Sequence, residues 1–225
     1  MKPWPVSAPS CLVSGHLLTV GGAAHILQDK GARDMSARSA MIPTKRFHAA
    51  DMPNLAEQIR EALAMFSRNG TEPALIGGLA VVAHQVVRAT KDVDFLVEAE
   101  AADKVHGALL DLGYKCLYRS ENAANYVRGA EGLNLLYAHR PLARRLLAQA
   151  SERDTPMGRM RIISVEGLIG FKLQGYVNDA TRTRDLDDIR ALLKIHRTLL
   201  NMDELREYFA LFKQSELLDE LLESR

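Results

Sequence analysis

Two aspartates and two glycines in the middle of the chain have the types and spacing that phosphate chemistry requires. Asp92 and Asp94 are two residues apart in a β-forming segment, so on a strand both carboxylates point to one face. Gly77 and Gly78 follow a short apolar run, and thirteen residues separate Gly78 from Asp92. Glycines let the backbone approach a ligand closely, and a helix that begins there offers free amides to a phosphate.

The aspartate pair is a candidate metal site. Two carboxylates a few ångströms apart repel each other unless a cation lies between them. Oxygen ligands on one face suit Mg²⁺, which keeps several waters and takes phosphate oxygens as its other ligands. Such a centre serves phosphoryl or nucleotidyl transfer. The structural alternative is a solvated strand edge, with Arg88 and Lys91 as ion-pair partners of the aspartates, next to a Gly-Gly that is only a tight turn.

Hydrophobic periodicity predicts the elements that position these residues. Apolar residues at helical spacing from Leu55 to Phe66 predict a first helix, with a capping box that starts at Asn54 and with Asn69-Gly70 at its end. Strands are predicted over 74–76, 92–97, 114–119, 125–128 and 133–138, helices over 79–87, 99–112 and 141–150, and a hairpin over 155–163. The rest of the chain predicts helices over 164–177, 184–195, 203–212 and 215–222.

Composition limits the class of protein. The chain has 225 residues, of which 47% are hydrophobic and 25% charged, so it has enough apolar material for a packed core. A net charge of +1 excludes a polybasic binder, and any contact with nucleic acid would be local. The two cysteines form no disulfide or metal pattern and favour a reducing cytoplasm. No apolar run reaches the roughly 18 residues of a membrane span.

The chain divides into three parts by composition. Residues 1–50 are rich in Gly, Ser, Ala and Pro without a sustained period, and we expect a flexible leader outside the domain. A signal peptide is the alternative there, although its basic region would be Lys2 alone and its apolar region is interrupted. We expect an α/β core over 51–150 and a mostly helical part over 151–225.

The pattern of two glycines, thirteen residues and Asp-x-Asp resembles the signature of the DNA polymerase β-like nucleotidyltransferase superfamily. The segments from Ile76 to His84 and from Arg88 to Val97 are most similar to the branch that includes the AbiEii/AbiGii-type toxins. The resemblance covers about residues 54–195. It implies the minimal nucleotidyltransferase fold, an α/β fold in which a mixed sheet with flanking helices is followed by a helical C-terminal part. It also implies that Gly77 and Gly78 hold nucleotide phosphates and that Asp92 and Asp94 bind Mg²⁺.

A second block resembles the same family. Residues 164–174 and 184–189 are similar to its lysine-bearing helix and its Arg-Asp-x-x-Asp helix. The resemblance implies that Lys172 contacts nucleotide phosphates and that Asp185 supports the site, with Arg184 and Asp188 as further candidates. The apolar neighbours of Lys172 predict that its ammonium extends toward an anion. The alternative is an exposed lysine and a solvated acidic helix start that the helix dipole favours.

One position departs from the family pattern. The superfamily places a third carboxylate on a later strand, where this chain has Asn134. A neutral amide cannot act as an anionic base or balance a second divalent ion. Three outcomes follow: catalysis with two carboxylates helped by Asp185, replacement by Glu131 in a shifted strand, or nucleotide binding without catalysis.

The predicted function is therefore Mg²⁺-dependent transfer of a nucleoside monophosphate from an NTP. The resemblance implies a tRNA or protein acceptor and a toxin–antitoxin setting with a cognate antitoxin as partner. The alternatives are a catalytically silent nucleotide-binding or regulatory module, and an interaction protein whose motifs are accidental. His84 is expected as a half-buried helix residue. A basic surface for a nucleic-acid acceptor, or else a solvated face, is predicted from His139, Arg140, Arg144, Arg145, Arg159 and Arg161.

Overall fold

The computed structural model describes residues 55–155 and 157–223, and in this part of the chain a seven-stranded sheet organises eight α-helices. The leader predicted over 1–50 and the capping residue Asn54 lie outside the described residues. The helices are α1 (Leu55–Arg68), α2 (Gly77–Ala83), α3 (Ala102–Asp111), α4 (Pro141–Gln149), α5 (Val165–Asn178), α6 (Thr183–His196), α7 (Met202–Leu211) and α8 (Ser215–Glu223). The strands are β1 (Ala74–Leu75), β2 (Asp92–Glu98), β3 (Lys115–Arg119), β4 (Ala123–Arg128), β5 (Glu131–Ala138), β6 (Ser151–Thr155) and β7 (Gly158–Ile162).

The sheet is mixed and has β2 at its centre. Its strand order is β3-β4-β5-β2-β1-β7-β6. The pairs β2–β5 and β1–β7 are parallel, and the other neighbouring pairs are antiparallel. Together with the helices that follow β7, this arrangement confirms the predicted α/β fold with a helical C-terminal part. The sheet continues past residue 150, because β7 pairs with β1 at Leu75 and Ile162.

Alternation along β2 separates the core from the candidate site. Val93, Phe95 and Val97 are buried, and the Phe95 ring meets Phe66 of α1 edge-on with 5.2 Å between ring centroids. Because successive strand residues face opposite sides of a sheet, the aspartates at positions 92 and 94 lie on the other face. One face of β2 therefore anchors the strand while the other presents the carboxylates.

Two predicted boundaries differ from the observed ones. The helix predicted over 79–87 is α2, which starts at Gly77 and ends at Ala83 because Gln85 adopts a left-handed φ of 68°. In the sequence, Val86 and Val87 continue the apolar spacing of a helix, which is why the predicted helix is longer. In the structure Val87 is fully exposed. The hairpin predicted over 155–163 is longer, since β6 begins at Ser151. β6 is an exposed edge strand of polar residues, so no hydrophobic alternation marks it.

α5 is the central helix of the C-terminal part. Ser164 caps it as predicted, with its Oγ accepting a hydrogen bond from the Gly167 amide at 3.0 Å. α5 contacts α2, α6 and α7, and residues on several of its sides are buried. This position holds Lys172, which lies on α5, against α6. Within residues 55–155 and 157–223, none of the helices has the length and apolar character that crossing a membrane requires.

Candidate active site

The ladder between β2 and β5 places the two predicted metal ligands in one row. Asp92 pairs with Gly132 and Asp94 with Asn134 in a parallel register without a shift. Both aspartates are half-buried, whereas Val93 between them is fully buried on the other face. The structure thus brings the two carboxylates to one face, as their spacing predicts.

Each carboxylate lies against a glycine. A Cβ added to Gly77 would be 2.0 Å from Asp94 Oδ2, and a Cβ added to Gly132 would be 2.3 Å from Asp92 Oδ1. Gly77 also has a φ of 64°, which side-chain-bearing residues rarely adopt. Glycine is therefore required at both positions for the carboxylates to occupy their places.

Burial and several neighbouring groups shift the pKa of Asp94. Burial raises the pKa of Asp94, and the charge of Asp92 raises it further. The hydrogen bond from Asn134, the charge of Lys172 and the Gly78 amide lower the pKa again, and the net direction is upward. The Gly78 N–H thus donates to a carboxylate. Burial disfavours the charged form of Asp94, and a cation bound beside this carboxylate would stabilise that charged form.

Lys172 belongs to a buried ion network between α5 and α6. Its Nζ lies 2.9 Å from Asp185 Oδ1 and 2.7 Å from Asp188 Oδ2. Asp185 also accepts from Nε of Arg182 at 2.6 Å. Side chains of the lysine and of both aspartates are at most 7% exposed. The ammonium of Lys172 therefore extends toward an anionic partner, which is the carboxylate pair of Asp185 and Asp188. Arg184, a further candidate, is exposed at the start of α6.

Arg88 connects this network to the glycine turn. Its Nη1 is 3.1 Å from Asp188 Oδ2, so its carboxylate partner lies on α6 and not in the Asp92–Asp94 pair. A Cβ added to Gly78 would be 2.7 Å from both Arg88 Nη1 and Thr90 Oγ1. A guanidinium and a hydroxyl thus lie directly beside the second glycine of the motif.

Asn134 occupies the position of the missing carboxylate and acts as a donor. Its Nδ2 donates to Asp94 Oδ1 at 2.8 Å, and its Oδ1 accepts from Asn125 Nδ2 at 2.7 Å. Glu131 does not replace it, because the register is unshifted and Glu131 accepts from Arg128 Nε at 2.7 Å. The site therefore has two carboxylates and a neutral amide.

The donor set fits one divalent cation. Within the described residues, no three His, Cys, Asp or Glu side chains gather as a metal cluster, so a bound ion would have two carboxylates as charged protein ligands. Mg²⁺ is commonly held in this way, by one or two carboxylates together with waters and substrate phosphates. Asp92 and Asp94 are the residues that would hold it.

The predicted basic surface is largely neutralised. Carboxylates of Glu100, Glu207, Glu152 and Glu72 pair with the arginines at 144, 145, 159 and 161, respectively. These exposed pairs favour the solvated-face alternative for that part of the chain. His84 is more deeply buried than expected, and its Nε2 hydrogen-bonds the Ile163 carbonyl at 2.9 Å.

Among the site residues that were not predicted from the sequence, two lie on the strands next to the carboxylates. Gly132 and Asn125 have meaning only through their cross-strand partners, Asp92 and Asn134. A glycine inside a strand is a weak signal of close approach. No comparable local signal marks Asn125.

Comparison with solved structures gives the fold a name. The chain is similar to the antibiotic-resistance factor ANT(2'')-Ia in its solution structure, with a TM-score of 0.55, 18% identity, and coverage of 74% of this chain and 95% of that one. The same protein in complex with adenylyl-2''-tobramycin gives a TM-score of 0.54 at 17% identity, covering 73% and 99%. The lincomycin-bound lincosamide adenylyltransferase LnuA gives 0.50 at 21% identity, covering 64% and 98%.

The chain therefore has the nucleotidyltransferase fold. At these identities the likeness establishes the fold alone. No protein-family model and no curated protein matches the sequence.

Proposed function

We propose that this protein is a Mg²⁺-dependent nucleotidyltransferase that moves a nucleoside monophosphate from an NTP to an acceptor hydroxyl and releases pyrophosphate. The observation that carries the proposal is the position of Asp92 and Asp94 on one face of β2, with the Gly77–Gly78 turn against them. The fold supports it, because neighbours with the same fold are nucleotidyltransferases. The toxin branch named by the sequence resemblance remains part of the proposal.

The residues have distinct parts in this proposal. Asp92 and Asp94 would hold the cation, which supplies charge that offsets the phosphates and the developing charge of transfer. The turn at Gly77 and Gly78 lets the triphosphate approach the backbone, where Arg88 provides a guanidinium suited to phosphate oxygens.

Two residues of the helical part complete the proposal. Lys172 adds a positive charge, close enough to Asp94 to lower the pKa of that carboxyl. Asp185 fixes the ammonium of Lys172 at 2.9 Å. Because Asp185 and Asp188 both pair with its Nζ, Lys172 would act on a phosphate through its fixed charge or would have to exchange a carboxylate partner to contact it.

Labelled transfer tests the reaction directly. Each NTP labelled at its α-phosphate is incubated with Mg²⁺, the protein and an acceptor mixture, and label in the acceptor is counted. Asp92→Asn and Asp94→Asn should each reduce transfer by at least about 100-fold, as expected for loss of a charged group that stabilises the transition state. Asp203→Asn is the matched control, because Asp203 is 96% exposed and far along the chain on α7. Unchanged transfer in both site variants would exclude the proposal.

The acceptor is proposed from two sources. The sequence resemblance implies that the acceptor is a tRNA end or a protein hydroxyl. Two neighbours of the same fold instead bind small molecules, because ANT(2'')-Ia is in complex with adenylyl-2''-tobramycin and LnuA is bound to lincomycin. The neutralised arginines favour a small or protein acceptor over a polyanion. Parallel reactions with tRNA, cell-extract protein, an aminoglycoside and a lincosamide decide between them.

The toxin–antitoxin setting has its own test. If the protein is a toxin, expression of the wild type arrests growth, and expression of Asp92→Asn does not. A cognate antitoxin would then be identified by genetic rescue of the arrested cells. Normal growth together with measurable transfer in vitro would separate the enzyme from the toxin role.

The second candidate function is a catalytically silent nucleotide-binding module, and Asn134 motivates it. The amide at this position donates to Asp94 where the family pattern has a carboxylate. Asn134→Asp distinguishes the two candidates. A strong gain of transfer from near zero would favour the silent module, and normal wild-type turnover would exclude it.

A further inference from the structure

Three strands carry one polar row that ends at the candidate metal site. Asn125 of β4 pairs with Asn134 of β5, and Asn134 pairs with Asp94 of β2. All three side chains are half-buried on the face that also holds Asp92. Their hydrogen bonds, at 2.7 Å and 2.8 Å, run in one direction along the row.

The direction of the row follows from the chemistry of its ends. An ionised carboxylate only accepts hydrogen bonds, so Asn134 must turn its NH₂ toward Asp94. That orientation leaves Asn134 Oδ1 on the other side, where only a donor satisfies it. Asn125 supplies this donor through its Nδ2. The amide of Asn125 therefore holds Asn134 in the orientation that Asp94 requires.

The same orientation limits the number of cations. A carboxylate in the place of Asn134 would add a negative charge and an oxygen ligand beside Asp94. The NH₂ of Asn134 instead presents hydrogens with positive partial charge to that space, and its oxygen is committed to Asn125. A second divalent ion would meet a donor group where it requires an anion.

We infer that Asn125 is a positioning residue that acts on Asp94 through Asn134, and that this amide row makes a centre for one divalent cation where a third carboxylate would make a centre for two. The inference rests on the proposed function, because it takes Asp92 and Asp94 as the cation ligands.

Isosteric variants of Asn125 test the direction of the row. Asn125→Asp has the same shape but only accepts, so two acceptors then compete for one Asn134 amide. We expect a lower Tm without metal and about tenfold tighter Mn²⁺ binding, because Asn134 can turn its oxygen to the cation, a change the size of one hydrogen bond to a charged group. Asn125→Ala removes the donor to Asn134 Oδ1 and leaves Asp94 as the remaining partner of Asn134, so we expect a fall in Tm and a tightening of Mn²⁺ binding that both lie between those of the wild type and of Asn125→Asp.

The ranking of these variants separates positioning from packing. A packing role would make Asn125→Ala the more harmful change, and that result would overturn the inference. Ala123→Asp is the charge control, because it places the same charge on the same strand opposite Leu136, which has no amide to turn. Equal tightening of Mn²⁺ binding by Ala123→Asp and Asn125→Asp would show an effect of charge alone and would also overturn the inference.

Metal stoichiometry tests the number of cations. Titration of the full chain with Mn²⁺, followed by calorimetry and by paramagnetic resonance, should give one equivalent at the aspartate pair, and Asn134→Asp should add a second. Two equivalents in the wild type would overturn the inference. If instead Asp92→Asn leaves Mn²⁺ binding unchanged, the proposed metal site itself fails. If Asp92→Asn abolishes Mn²⁺ binding but the Asn125 variants bind Mn²⁺ equally well, the metal site stands and only the inference about Asn125 fails.

Discussion

Gly77 has no space for a side chain, because the Asp94 carboxylate occupies the position of its Cβ. We predict that Gly77→Ala reduces nucleotidyl transfer by at least about 100-fold, since a Cβ 2.0 Å from Asp94 Oδ2 must displace either the turn or the carboxylate. Because alanine is strained at the φ of 64°, Gly77→Ala also lowers the free energy of unfolding by about 1 kcal/mol. Transfer assays and thermal melts measure the two effects separately.

Gly129 provides the matched control for this prediction. Its φ of 58° carries the same backbone cost, but no heavy atom lies within 4 Å of its Cβ position. Gly129→Ala should therefore lose stability to a similar degree and keep its transfer activity. Equal losses of activity in the two variants would show that Gly77 acts only through global stability.

At the scale of residues, the sequence predicts what lies close along the chain. The separation of Asp92 from Asp94 is sufficient to place both on one face of a strand, and the glycines before α2 mark the turn. Gly132 and Asn125 contact the same carboxylates only through pairing of β2, β5 and β4. Register between distant strands depends on the packed sheet, and a single sequence does not specify it.

At the scale of elements, α5 and α6 are held together by buried charge. Lys172 lies between Asp185 and Asp188, and all three side chains are at most 7% exposed. We predict that Lys172→Met lowers the free energy of unfolding by about 3 kcal/mol, because it leaves two buried carboxylates without their shared cation. Denaturant unfolding measures the loss.

An exposed ion pair on α6, the helix that carries Asp185 and Asp188, is the control for Lys172. Arg190 pairs with Asp187 at 3.2 Å, with side chains 51% and 70% exposed. Arg190→Met should cost no more than about 0.5 kcal/mol, since solvent screens such pairs. A similar small cost for Lys172→Met would mean that the two arginines near Asp185 and Asp188 already compensate these carboxylates.

His84, the buried residue that follows α2, makes stability depend on pH. Burial lowers the pKa of His84 below its ordinary 6.5, and the charges of Arg153 and His196 lower it further, against the Ile163 hydrogen bond and the charge of Glu166. As the pH falls, the unfolded chain therefore binds a proton at His84 before the folded chain does. The stability that neutral His84 contributes is fully present above pH 6.5 and is lost as the pH falls from 6.5 through the lowered pKa of the folded state.

A substitution without a titratable group tests this dependence. His84→Gln keeps an amide donor for the Ile163 carbonyl, whose bond to His84 is 2.9 Å long. We expect the Tm of this variant to fall less than that of the wild type between about pH 7.5 and pH 5.5. His139→Gln, at an exposed position, should melt like the wild type across this range. Parallel curves for wild type and His84→Gln would contradict the prediction.

Element boundaries show the same limit of sequence information. The apolar periodicity of α1, α6, α7 and α8 is clear, and Ser164 marks the start of α5, so the predicted extents of these helices differ from the observed ones by only a residue or two. β6 consists of Ser-Glu-Arg-Asp-Thr and is exposed. Its strand conformation comes from pairing with β7 at the sheet edge, which leaves no mark in its own composition.

At the scale of the whole molecule, one sheet crosses the boundary predicted at residue 150. β1 has only two residues, and its neighbours are β2 from the predicted core and β7 from the predicted helical part. Ile162, Leu168 and Leu173 are completely buried. The C-terminal part therefore supplies both a strand neighbour and core side chains to the part that carries the aspartates.

We predict that a chain ended at Ala150 does not unfold cooperatively, because it leaves one edge of β1 unpaired and the apolar side of α2 uncovered. A chain ended at Gln214 is the control, since it removes only α8, which contributes Leu218 and Leu221 to the core. This control should keep a cooperative melt at a lower Tm. Calorimetry of the two truncated chains distinguishes the cases. A cooperative transition in the chain ended at Ala150 would show that residues 51–150 form an independent domain and that the helical part only completes the site.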